Sequence, residues 1–358
     1  MLLTKKFVQH SVGFTLASLL SMPVFATQTI KAVVIDGYPA KAMWVHEFSE
    51  FFIPEVDKRL AKTGNYKMDW QQSYGGSIVK PKGVLEGIKL GLGDIGIVTT
   101  IFHNSKLPSQ SLSAATPFIS NDARVVAKAV DEIAKEYPSM QKEFAKQKQV
   151  YLATGVVLNT YQLYSKKPVH KASDLQGTKI AGAGTNLRYI EGIDGAAGVR
   201  GGLTDFYNML NTGLVDHAML WPEAASTFKV VEVAPYMAEI NFGAVNTKTV
   251  TVNQRYWKSL PDEVKTALSD VAIEYRDHVA TIAMQRAEAS RQQFVEAGGT
   301  IITISPEARK EWAELMPNIA KEWAKTLNSR GEPGSEMLQA YIDKLKASGA
   351  TPVRDWTK

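Results

Sequence analysis

Residues 66–100 read YKMDWQQSYGGSIVKPKGVLEGIKLGLGDIGIVTT, and the way this stretch divides decides the fold class. YKMDWQQS (66–73) is a strand that breaks at YGG (74–76). A helix can begin at Pro81, whose fixed φ suits a first helical position, and it runs through Val84, Leu85, Ile88 and Leu92 at helical spacing. DIGIVTT (94–100) is the next strand. The unit is strand, helix, strand, which predicts an α/β layer with a parallel sheet and short loops at the strand ends.

The same alternation extends in both directions. Upstream, TIKAVVIDGYPA (29–40) is an apolar strand stopping at Gly37 and Pro39, followed by a helix carrying Trp44, Phe48, Phe51, Phe52 and Val56. Downstream, 123–147 is a helical region interrupted by Pro138, and VYLATGVVLNTYQLYS (150–165) is one long strand. The pattern then restarts with a strand at GTKIAGAG (177–184), helices over 185–198 and 203–213, and a strand LVDHAMLW (214–221) ending against Pro222. Two α/β sets predict two lobes. SLPDEVKTAL…FVEAG (259–298) predicts one helix of about 36 residues, started by Pro261, ended by Gly298-Gly299, and about 50 Å long at ~1.5 Å per residue. Its apolar residues keep no strict heptad, so it reads as a strut along both lobes and not as a coiled coil. Trp312, Met316, Ile319 and Trp323 place covering helices in the tail.

The N-terminus MLLTKKFVQHSVGFTLASLLSMPVFATQ sets Lys5 and Lys6 before an apolar run ending in Val24-Phe25-Ala26, the pattern of a secretory signal peptide cleaved after Ala26. The run holds His10 and several hydroxyl residues and is too short for the roughly 20 residues of a spanning helix. An exported chain is therefore expected, not inserted in the membrane once the leader is gone. It has no cysteine, so burial alone must stabilise it. The net charge of +5 falls to about +3 without the leader, and runs such as KEFAKQKQ alternate in sign, which excludes the basic stripe of a nucleic-acid-binding protein.

Catalytic signatures are missing from the sequence. The six histidines keep no metal-ligand spacing, no G-x-S-x-G elbow occurs, and Asp205 or Asp216 with Glu223 makes no identifiable activated pair. Neither a catalytic residue, a metal nor a cofactor is expected. The glycines of KIAGAGTNLRYIEG (179–192) lack the Lys-Ser/Thr of a P-loop and the third glycine of a dinucleotide loop. They leave two readings open: backbone N–H groups bared to a small anion at a helix start near Thr185, or a tight strand-to-helix turn.

Four segments in order, 74–100, 164–184 (YSKKPVHKASDLQGTKIAGAG), 205–219 (DFYNMLNTGLVDHAM) and 228–236 (FKVVEVAPY), resemble the solute-binding proteins of TRAP transporters, the C4-dicarboxylate-binding type. SDLQGTKI (173–180) and LNTGLVD (210–216) are the most specific. The resemblance covers nearly the whole mature chain. It implies a two-lobed periplasmic binding protein fold with a long helix spanning both lobes, residues 27–157 with 247–290 forming one lobe and 158–246 with 291–358 the other. It also implies a periplasmic protein that takes a small organic anion in the interlobe cleft and hands it to the TRAP membrane permease subunits. Lobe closure would hinge near 155–160 and 243–249.

One departure bears on the ligand. Family members carry an Arg where this chain has Ala181, and a second on the preceding strand where Thr160 stands. Losing that planar cation argues against a simple C4-dicarboxylate. Ligand contacts are expected from Tyr38, Trp44, Tyr74, Gly76 and Thr100 at the strand ends of the first lobe. From the second they are expected from Asn159, Tyr161, Gly184, Thr185, Asn186, Arg188, Trp221 and Glu223, with Arg188 or Arg200 as the replacement cation. Trp44 reads equally well as core, and His217 as a locally satisfied residue. An exported α/β enzyme acting in the cleft and an ABC-type binding protein are the competing readings.

Overall fold

A computed structural model describes residues 26–358, so the leader expected over residues 1–26 lies outside the described residues but for Ala26. The strands are β1 (Gln28–Ile35), β2 (Tyr66–Ser73), β3 (Ile95–Thr99), β4 (Gln149–Val157), β5 (Gln162–Ser165), β6 (Lys179–Gly182), β7 (Ala197–Arg200), β8 (His217–Leu220), β9 (Tyr236–Glu239), β10 (Thr247–Asn253) and β11 (Thr300–Thr303). They build two sheets, one of five strands in the order β2-β1-β3-β10-β4 and one of six in the order β11-β9-β5-β8-β6-β7.

Neither sheet is wholly parallel. β1 pairs parallel with β2 and β3, but β10 runs antiparallel between β3 and β4. In the second sheet β6 pairs parallel with β7 and β8, and β5 is antiparallel to β8 and β9. The exceptions are the strands at which the chain arrives after crossing between sheets. The single strand expected over 150–165 is thus two, β4 and β5, in different sheets, joined by Leu158–Tyr161. The return crossing lies beside it: the N–H of Tyr161 donates to the Gly243 carbonyl at 3.1 Å, and that of Leu158 to the Asn246 carbonyl at 3.2 Å.

Glycine decides several helix ends. The helix expected from Pro81 is a 3₁₀ turn, Pro81–Gly83, then Val84–Leu90, closed by Gly91 at φ +78°, which leaves Leu92 beyond it and half exposed. The helix expected over 185–198 shortens to the 3₁₀ helix Gly184–Ile190, because Gly192 and Gly195 take φ of +91° and +66° and turn the chain into β7.

The long helix is Asp262–Glu296, 35 residues, with Pro261 at its N-cap and Asp262 and Glu263 in the first turn, where acids suit the dipole. Val264, Leu268, Val271, Tyr275, Val279 and Ala283 line its buried face at steps of three and four. It packs on β4 and the helix Ala123–Glu136 beside the first sheet, and on the helix Pro222–Thr227 and β11 beside the second. The tail helices Pro306–Leu315, Ile319–Asn328 and Gly334–Ala347 reach both sides. Trp312 Nε1 donates to the Tyr189 carbonyl at 2.8 Å, while Trp323 and Trp356 donate to the carbonyls of Pro108 (2.8 Å) and Pro117 (2.7 Å).

Candidate functional site

The carboxyl ends of β1 and β3 and the start of the antiparallel β10 meet at one edge of the first sheet, the edge at which open α/β sheets take ligands. Asp36 follows β1 and is buried. Its Oδ1 accepts the Tyr38 N–H at 2.8 Å and its Oδ2 the Trp44 indole N–H at 3.1 Å. Burial pushes its pKa up, against those two donors and the pull of Lys248. Lys248, the second residue of β10, is 1% exposed. Its Nζ lies 3.1 Å from Thr99 Oγ1, 4.2 Å from the Trp44 ring and 5.3 Å from the Tyr38 ring. Burial drives its pKa down while Asp36 opposes the shift.

The second sheet answers with a matching arrangement. Trp221 ends the segment after β8, and Pro222 starts the next helix. Glu223 in its first turn takes the Trp221 indole N–H on Oε2 at 3.0 Å and the Thr227 hydroxyl on Oε1 at 2.9 Å, and burial raises its pKa. Each lobe therefore fixes one tryptophan through its indole N–H to one buried carboxylate. The two rings are neighbours, 6.2 Å between centroids and tilted by 50°. Tyr161 on the crossing segment completes the wall, 5.4 Å from Trp221, its hydroxyl accepting from Asn246 Nδ2 at 2.7 Å.

Asn186 closes this enclosure. It is fully buried beside the Tyr161 hydroxyl, yet neither its Nδ2 nor its Oδ1 reaches hydrogen-bond geometry with any group among the described residues, and Asn246 Oδ1 is also unpartnered. Orphaned buried amide atoms are costly and uncommon, and this enclosure holds both of those of Asn186 and the oxygen of Asn246.

The 3₁₀ geometry of Gly184–Ile190 explains which residues face in. With three residues per turn, positions three apart share a face. Asn186 and Tyr189 point inward and are buried, while Thr185 and Arg188 point to the other side. There a cavity of about 600 Å³ opens between Phe102, Arg188, Arg200, Glu322 and Trp323. Its charge is already paired: Arg188 bonds Glu191 at 2.8 Å and Glu322 at 2.5 Å and is about a third exposed. Gly184, at φ +55°, sits against the first lobe so closely that a Cβ would lie 2.3 Å from the Ile101 carbonyl oxygen. Beside it Asn104 Nδ2 donates to Thr185 Oγ1 at 2.7 Å. The bare glycine serves the approach of one lobe to the other.

Of the residues expected from sequence, Tyr38, Trp44, Tyr161, Asn186, Trp221 and Glu223 come together in the inner enclosure, and Gly184, Thr185 and Arg188 border the outer cavity. Tyr74 lies half-buried at the rim, its hydroxyl 3.3 Å from Ser49 Oγ, and Gly76 is in the loop after β2 at φ +80°. Thr100 bonds the Thr247 carbonyl at 2.8 Å, and Asn159 Nδ2 lies 3.2 Å from Met284 on the long helix; both are spent on structure. Arg200 is exposed on the outer cavity. His217 sits at the start of β8, away from Trp221 at its end, with Nδ1 2.9 Å from Ser165 Oγ and a pKa lowered to about 4 by burial. Asp36, Lys248 and Asn246 escaped the sequence reading. Asp36 carried a usable signal, an acid between an apolar strand and Gly37, and Lys248 in NTKTVTVN carried one too, since it shares the face of Val250 and Val252 on an alternating strand. No group of three or more His, Asp or Glu among the described residues is arranged to hold a metal ion, and no described helix is long and apolar enough to cross a membrane.

Residues 42–326 match the model of the bacterial extracellular solute-binding proteins, family 7 (DctP). The chain is similar to the C4-dicarboxylate-binding periplasmic protein DctP of Rhodobacter capsulatus, 28% identical over 127 residues, a stretch spanning 35% of this chain and only 38% of that relative. Among solved structures, a TRAP solute-binding protein from Rhodoferax ferrireducens in complex with copurified benzoate superposes with a TM-score of 0.78 at 18% identity, covering 89% of this chain and 98% of that one. A Bordetella pertussis extracytoplasmic solute receptor binding pyroglutamic acid gives 0.74 at 19% identity, covering 87% and 99%. With a family model matched over most of its length and two sheets bridged by one long helix, the chain belongs to the extracellular solute-binding proteins of family 7, the DctP family.

Proposed function

We propose that this protein is the exported receptor of a TRAP transporter, cleaved after Ala26, that captures one small organic acid per chain between its lobes and delivers it to the membrane permease. The observation that carries the reading is the interlobe enclosure itself. Trp44 and Trp221 come from different lobes, each held by its own carboxylate, and the Asn186 amide, without a well-formed hydrogen bond, lies beside Tyr161. Structural relatives that hold benzoate and pyroglutamate support an acid of that size. The lobes follow the sheets, residues 27–157 with 247–290 and 158–246 with 291–358, with the tail helices lying across both. Leu158–Tyr161 and the paired return segment form the hinge, since hinges fall in the few residues linking rigid bodies.

The reading requires binding without turnover. Thermal-shift screening of the mature protein against benzoate, pyroglutamate and succinate tests it: a ligand present at 100 times its Kd stabilises by about 2.7 kcal/mol. Small-angle scattering of the same samples should show a smaller radius of gyration with ligand. Reproducible chemical conversion of a bound acid, lost on mutating Asp36 or Glu223, would favour the enzyme reading.

A further inference from the structure

We infer that Lys248 is the cation that fixes the ligand, and that the ligand is a monocarboxylate with a flat or compact apolar body; the inference rests on the solute-binding reading above. Lys248 carries three N–H donors, and only one has a hydrogen-bond partner, Thr99 Oγ1. Its other near neighbours are the faces of Trp44 and Tyr38. Asp36 acts on it through space, with its own oxygens turned to the Tyr38 N–H and the Trp44 indole. A buried ammonium short of direct acceptors is costly to maintain and is the arrangement an incoming anion completes. The Asn186 amide, without a well-formed hydrogen bond and lying beside the Tyr161 hydroxyl, is a further polar group of the enclosure.

The charge count limits the anion to one carboxylate. Lys248 is the cation of the enclosure, burial disfavours the charged forms of Asp36 and Glu223, and Ala181 on β6 contributes no charge. Arg286, which faces Glu223 from the long helix, bonds Glu47 at 2.5 Å, and Arg188 is turned to the outer cavity and paired there. A second carboxylate on the ligand would meet no unpaired cation of the enclosure among the described residues. The remaining walls are Trp44, Trp221 and Tyr161, which pack an apolar body and add selectivity through ring geometry.

The test is calorimetric titration of wild type, Lys248→Met and Arg188→Ala with benzoate, 3-hydroxybenzoate and pyroglutamate, with benzamide and succinate as contrasts. Met keeps the length and apolar stem of the lysine. Wild type should bind at least one monocarboxylate and prefer benzoate to benzamide. Lys248→Met should weaken monocarboxylate binding by at least about 30-fold and remove that preference, while Arg188→Ala leaves both unchanged. Because the preference is a ratio within one protein, it remains readable if the variant is less stable. A monocarboxylate bound equally well by wild type and Lys248→Met overturns the role of Lys248 and leaves the proposed function standing. Succinate bound in place of every monocarboxylate overturns the monoanion assignment with the function intact. Wild type binding none of these acids at millimolar concentration overturns both.

Discussion

The 3₁₀ segment Gly184–Ile190 has a different environment on each side, and comparing them shows how a site is recognised. The outer cavity is open and about 600 Å³ in volume, and its arginine is neutralised by Glu191 and Glu322. The inner enclosure is filled by side chains, yet it holds a buried ammonium with one hydrogen bond and an amide with none. Volume alone would select the outer side. The energetics select the inner one, because unsatisfied buried polar groups represent stability forgone, while a half-exposed ion pair is worth little whether made or broken.

The strongest consequence is expected at Trp221. Trp221→Ala removes a buried ring facing Trp44 and Tyr161 and strips Glu223 of its indole donor. The loss should be about 3–5 kcal/mol of unfolding free energy, read from denaturant titration, together with ligand binding. Trp221→Phe restores the ring without the N–H and should recover most of the stability. A Trp221→Ala protein that still binds its acid at wild-type affinity would remove the inner enclosure from consideration.

Gly184→Ala probes the contact between the lobes. The new Cβ meets the Ile101 carbonyl at 2.3 Å, and φ +55° is unfavourable for alanine by about 1–2 kcal/mol. The Ile101 carbonyl belongs to the opposing lobe, so the strain is relieved by opening. Ligand affinity should fall about tenfold or more, and scattering should show less compaction at saturating ligand than in wild type. Equal compaction would mean that the glycine serves only its local turn.

A smaller effect separates the two sides by pH. Burial raises the pKa of Glu223, so between the ordinary glutamate range and the raised native value the folded carboxyl keeps a proton that the unfolded chain has released. Its contribution is favourable below the ordinary glutamate range and is lost as pH rises through the raised native value. Glu223→Gln keeps an acceptor for the Trp221 indole and removes the ionisation. Its stability relative to wild type should therefore be higher at about pH 8 than at about pH 5, measured by urea unfolding at both. Identical pH profiles would show that Glu223 ionises in the folded protein as it does in the unfolded chain.

Much of the fold was legible because it rests on local signals: strand ends at Gly37 and Gly75-Gly76, helical spacing from Trp44 to Val56, and Pro261 with Gly298 bounding the long helix. What escaped was decided at long range. The break between β4 and β5 is marked locally only by Asn159 and Thr160, too slight an interruption to announce a change of sheet when the crossing segment itself is buried. The inward face of Asn186 follows from a 3₁₀ rather than an α-helical turn, and that turn starts at Gly184, which packs closely on Ile101 of the other lobe. The site was legible in its aromatics and not in its cation. Lys248 shares the strand face of Val250 and Val252, but a charged side chain at the strand start reads as solvated, and the sheet order, which sets β10 between β3 and β4, shows that it is buried.

The smallest effect is expected where the sequence draws most attention. Arg188 stands one residue past the mid-point of a glycine-rich turn and reads as the natural anion clamp, but the geometry of that turn carries it to the outer cavity, where Glu191 and Glu322 take its guanidinium. Its side chain is about a third exposed, so solvent and salt screen the pairs. Arg188→Ala should cost under about 1 kcal/mol of stability, and less still at high salt, as exposed pairs do in double-mutant cycles. Calorimetry with the bound acid should give a Kd within about twofold of wild type, because no donor of the inner enclosure is touched; for scale, tenfold would correspond to about 1.4 kcal/mol. A large loss of affinity would mean that the ion pairs exchange for ligand when the lobes open. The comparison would then reverse, making the roomy outer cavity the point of capture and the buried lysine a structural charge.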